Sequence, residues 1–71
     1  MSRKYVRADH LVVGETYTIE SGMGGIFSVR YITAGLSRDG LRYEFWITDP
    51  GWEDLGPVRI LDSEIHKKVW R

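Results

Sequence analysis

The sequence predicts an all-β protein, a single small antiparallel barrel of about five strands with one 3₁₀ turn before the last strand. Three observations carry this expectation. Apolar and polar residues alternate with a period of two along most of the chain, the pattern of strands that bury one face. Short stretches rich in Gly, Asp, Ser and Pro separate the alternating runs, and these residues supply the backbone angles and local hydrogen bonds of turns. A length of 71 residues leaves room for one domain, residues 1–71, with one small core.

Taken in order, Tyr17 and Ile19 alternate with Thr16, Thr18 and Glu20, which predicts a first strand. Ser21-Gly22-Met23-Gly24-Gly25 follows. A phosphate-binding loop needs backbone N–H groups converging on a helix N-terminus and usually a lysine, but a β-branched and aromatic run comes next and no Gly-Lys-Ser/Thr occurs. The stretch therefore reads as a hairpin connection whose glycines permit a sharp bend or bulge. Phe27, Val29 and Tyr31 alternate with Ser28, Arg30 and Ile32 in a second strand, and a polar turn is expected from Gly35 to Gly40. Leu41, Tyr43, Phe45 and Ile47 alternate with Arg42, Glu44, Trp46 and Thr48 in a third. Asp49-Pro50-Gly51 breaks the pattern, and Val58 and Ile60 flank Arg59 in a fourth. Two readings fit the end of the chain. Leu61, Ile65 and Val69 have helical spacing, with Asp62 or Ser63 as a cap; alternatively, a tight 3₁₀ turn over Asp62–Ile65 precedes a strand from about Lys67 to Trp70, and this reading is preferred. The expected core is Tyr17, Ile19, Phe27, Val29, Tyr31, Tyr43, Phe45, Ile47, Val58 and Ile60.

Composition narrows the function. The absence of cysteine removes disulfides, thiolate metal sites and cysteine nucleophiles, and two histidines cannot close a zinc site without carboxylates. Neither metal nor cofactor is expected. The longest apolar runs are three residues, so neither a signal peptide nor a membrane span is expected, and a cytoplasmic chain without membrane contact is the default. Net charge is zero but unevenly placed: Arg3, Lys4 and Arg7 open the chain, and Lys67, Lys68 and Arg71 close it. Between Ala8 and Ile65 four arginines face all ten acids, a balance of minus six. If the ends meet, the molecule has a basic pole and an acidic body.

The order Leu11-Val12-Val13-Gly14-Glu15, strand, glycine turn, two longer strands, short strand, and the passage Val58 to Ile65 before a last strand resembles the SH3-like small β-barrel. That resemblance covers nearly the whole chain and implies a fold used for binding peptides, nucleic acids and chromatin and, in at least one instance, for catalysis. The layout is also similar to type II plasmid dihydrofolate reductase, an SH3-like barrel whose pore forms in a tetramer. Its Val-Gln-Ile-Tyr motif is departed from here at Arg59 and Leu61, and Ile19-Glu20 stands where a lysine is expected. Architecture carries over and activity does not, so no enzyme is expected. Small barrels of this kind are similar to accessory proteins of phages and mobile elements that bind and modulate a host protein.

Candidate chemistry is thin. Asp9 and His10 are adjacent, which in a strand sends them to opposite faces; Ser63, Glu64 and His66 are local surface residues, and Glu53-Asp54 sits in a solvent loop. The three tryptophans are the stronger lead, because indoles are favoured interface anchors. Trp52, with Glu53 and Asp54, suits a basic protein partner, which is the first expectation. Arg30, Arg42 and Trp46 share the predicted outer face of one hairpin, with Glu44 able to pair with either arginine, and this face suits nucleic acid. Trp70, Lys67 and Lys68 extend that second reading to the basic termini. A homo-oligomer that captures a small ligand between subunits is the third.

Overall fold

The alternating runs hide their apolar faces by pairing into one sheet. The computed structural model describes residues 4–22 and 24–71; Arg3 of the expected basic pole and Met23 of the glycine stretch lie outside the described residues. β1 (Thr16–Glu20), β2 (Ile26–Ser37), β3 (Gly40–Ile47), β4 (Pro57–Leu61) and β5 (Val69–Trp70) pair antiparallel in the order β4-β3-β2-β1-β5. This is the predicted all-β fold, with the 3₁₀ turn Asp62–Glu64 before the last strand. The sheet is open, with β4 and β5 as its edges. The chain itself leads from one edge to the other through that 3₁₀ turn and the single-turn helix α1 (Ile65–Lys68), and fully buried Ile65 ties the crossing to the core.

Register explains the core. Tyr17 lies opposite Val29, Val29 opposite Ile47, and Tyr31 opposite Phe45, so the buried positions of three strands meet on one side. Phe45 is completely buried and packs edge-on to Tyr17 at 6.4 Å and tilted to Tyr31 at 5.4 Å between ring centroids. Eight of the ten expected core residues are buried. Phe27 and Val58 are only partly buried, because they lie near strand ends, and Ile65 and Val69 are fully buried beside the expected eight. Their helical spacing carries both inward because the crossing between the sheet edges turns once as a helix.

Three details differ from the sequence reading. The β2–β3 register shifts between Tyr31 and Thr33, so Ile32 is an extra residue and the outward face of β2 passes from even to odd positions. Beyond it the hairpin continues further than expected: Ser37 pairs with Gly40, and the turn shrinks to Arg38 and Asp39. Gly40 takes φ +118°, a conformation that side chains disfavour. Lastly, β5 keeps only Val69 and Trp70, while Lys67 and Lys68 fall in α1, so both readings of the C-terminal segment are partly realised.

The glycine stretch is a hairpin turn. Ser21 N–H donates to Gly25 O at 2.8 Å, Gly24 N–H to Ser21 O at 3.0 Å, and Gly25 N–H to Ser21 Oγ at 3.2 Å. Those donors are engaged locally. Gly25 also meets the Phe27 ring, since a Cβ there would lie 2.8 Å from it. The chain ends meet as expected, with Tyr5 bridging Trp70 and Val6 N–H donating to Val69 O at 2.9 Å.

Phe45→Ala is expected to lower stability by about 3–5 kcal/mol through a cavity beside the Tyr17 and Tyr31 rings; a urea melt that overlays the parent's would remove Phe45 from the core. A pH prediction follows from Tyr43. Its hydroxyl donates to Asp62 Oδ1 at 2.9 Å, and burial first, then the contact with Asp62, pushes its pKa up to about 12. Burial also raises Tyr31. An unfolded tyrosine titrates near about 10, so folding favours the protonated form. The contribution is full below about pH 10 and disappears as pH climbs toward about 12. Urea midpoints measured across that window should fall for the parent, and fall less for Tyr43→Phe.

Candidate functional site

Between β3 and β4 the chain makes a loop with no cation and three acids, Asp49, Glu53 and Asp54. Hydrogen bonds hold it at every turn. Asp49 Oδ2 accepts Ser28 N–H at 2.9 Å, Thr48 N–H donates to Ser28 O at 2.9 Å, and Trp52 N–H donates to Asp49 O at 3.1 Å. Glu53 Oε2 accepts Gly51 N–H at 3.0 Å, and a 3₁₀ turn over Glu53–Leu55 follows. Positive φ at Gly51 and Gly56 brackets the indole. Trp52 therefore stands on a fixed backbone, its ring edge-on to Phe27 at 5.6 Å, and still 52 % exposed.

Other half-exposed apolar side chains occur nearby in the chain and sheet. Leu55 closes the same 3₁₀ turn, and Ile26 begins β2 beside Phe27. Sequence reasoning missed Phe27 as the indole's support and Leu55 as its neighbour. Leu55 N–H donates to Trp52 O at 3.2 Å, and this spacing of three across one tight turn is the signal that could have found the second.

The Trp46 face is rearranged relative to the expectation. Trp46 and Arg30 are direct cross-strand partners, and Trp46 is 54 % exposed. Glu44, however, pairs with neither Arg30 nor Arg42. Its Oε1 lies 3.3 Å from Arg59 Nε on β4 and its Oε2 accepts Trp46 Nε1–H at 3.1 Å. Arg42 is drawn into the hairpin turn, bonded to Asp39 at 2.9 Å and to Ser37 Oγ at 3.0 Å. A groove of about 250 Å³ along this hairpin is lined by Arg42, Glu44 and Arg59, and all three are engaged in these internal pairs. Arg30 stays beside Trp46, and Arg42 lies further along the same outward face of β3, held by Asp39 and Ser37.

Trp70 packs edge-on to Tyr5 at 5.7 Å where the chain ends join. Lys67 is exposed and Lys68 half-buried on α1, and β1 and β2 separate β5 from the Trp46 strand. Lys4, Arg7 and Arg71 line a separate groove with Tyr5, Val6 and His10. Asp9 pairs with Arg7 at 3.3 Å, and Asp9 and His10 lie in a 3₁₀ turn over Ala8–His10 and not in a strand. Among the described residues no cluster of His, Asp and Glu could hold a metal ion, and no helix is long and apolar enough to cross a membrane. Comparison with family models, curated proteins and solved structures finds no match to the chain.

Because the Gly25 Cβ position is filled by the Phe27 ring, Gly25→Ala is expected to displace that ring and, through it, Trp52. Stability should fall by about 1–3 kcal/mol. In a background where Trp46 and Trp70 are phenylalanine, the indole emission of Trp52 should shift; unchanged emission would separate Phe27 from Trp52.

Proposed function

We propose that this chain is a non-catalytic binding module that engages a protein partner through Trp52 and the acidic loop around it. The observation that carries the reading is a half-exposed indole on a backbone already locked by side-chain and main-chain hydrogen bonds. An aromatic held this way loses little conformational freedom on binding, so more of its buried area appears as affinity. Leu55 widens the apolar contact, and Asp54 and Glu53 favour a partner patch with lysine or arginine around an apolar pocket. Five antiparallel strands and a 3₁₀ turn before the last one support the likeness to the SH3-like barrel, and a small module of this type acts by occupying and modulating its partner.

The test is capture of a partner from nuclease-treated lysate, followed by titration of that partner. Trp52→Ala should weaken binding by about 2 kcal/mol or more, roughly 30-fold, while costing the fold about 1 kcal/mol from the lost ring contact. Glu53 is occupied by Gly51 N–H, so Asp54→Asn is the cleaner charge probe. It should flatten the salt dependence of association and leave the melting temperature unchanged. Equal capture by parent and Trp52→Ala would overturn the reading.

A further inference from the structure

Where the chain ends join, the molecule carries a second surface of opposite character. A groove of about 410 Å³ is lined by Lys4, Tyr5, Val6, Arg7, His10 and Arg71, none of them acidic. Its shape is built by the fold: the Tyr5–Trp70 bridge and the Val6 N–H to Val69 O bond hold both ends of the chain side by side. Arg71 lies with its guanidinium carbon 5.5 Å from the centre of the Tyr17 ring, which gives this last residue a defined position. Tyr5 stands edge-on to Trp70 and remains 40 % exposed.

We infer that this groove binds single-stranded nucleic acid, with Lys4, Arg7 and Arg71 on successive phosphates and Tyr5 stacking an unpaired base. Basic side chains along a groove combined with an exposed aromatic are the two parts such sites require. The exposed Arg7–Asp9 pair, at 3.3 Å, is of the weak, water-exchangeable kind that a phosphate can displace. Zero net charge does not oppose this, because the acidic Trp52 loop lies between β3 and β4 while the groove lies along the β5 edge. Three phosphate contacts make the binding weak and steeply dependent on salt.

The probe is a fluorescein-labelled oligo(dT) of about 12 nucleotides, within the usual span of such sites, followed by anisotropy from low to moderate salt. Three contacts predict a slope of about −2 in log affinity against log salt, an affinity loss of about 20-fold for a fourfold rise in salt. Lys4→Gln with Arg7→Gln should reduce that slope by about 1.4, and Tyr5→Leu should remove the preference for the single strand over a duplex of equal length. Trp52→Ala should bind the oligonucleotide like the parent, so failure here and failure of the protein-binding reading are distinguishable. The inference is overturned by the absence of binding at low salt, by equal binding of a poly-glutamate peptide, or by a slope that responds to Arg30→Gln and not to Lys4→Gln with Arg7→Gln.

Discussion

Phe45 packs between Tyr17 and Tyr31, and the rest of the molecule is arranged around that contact. β3 supplies Phe45, β1 and β2 supply the two tyrosines, and the helical crossing closes over the same cluster with Ile65 and Val69. A chain of 71 residues has few other apolar groups to bury, and small domains are stable only by a narrow margin. Among the described residues the buried side chains are all hydrophobic, and no buried polar side-chain atom lacks a partner. With the interior committed to folding, the chemistry available for function is on the outside.

The tyrosines of that core also govern the surface. Tyr17 accepts Val12 N–H through its hydroxyl at 3.0 Å, and Tyr43 donates to Asp62 at the start of the crossing turn. A phenylalanine in either place would fill the same space without reaching a loop. Hydroxyls at the rim of an aromatic core thus couple the burial that stabilises the sheet to the placement of the segments leaving it. Asp49 acts in the same sense from the other direction, fastening the Trp52 loop to the backbone of β2.

Charge is separated by this arrangement rather than by composition. Antiparallel pairing of β5 with β1, and of the N-terminal segment with β5, gathers Lys4, Arg7 and Arg71 around one groove. The acids Asp49, Glu53 and Asp54 stay together in one loop because they are close in sequence. The two surfaces therefore differ in the sign of their charge, and each repels a ligand of its own sign.

The period-two alternation determined, with no structure in hand, that the chain is all-β, which faces of the first three strands are buried, and that the glycine stretch is a turn. These are local properties, since side-chain direction in a strand and φ at a glycine depend on near neighbours. Trp52 was legible as a loop residue for the same reason. Only the tertiary structure decided that Glu44 pairs with Arg59 and not with Arg30 or Arg42, that Trp70 staples Tyr5, and that Trp52 rests on Phe27. The bulge at Ile32 and the choice of neighbours for each strand set which distant residues meet. Such contacts join positions far apart along the chain, and no local period encodes them, because register is fixed by the whole sheet closing over one core.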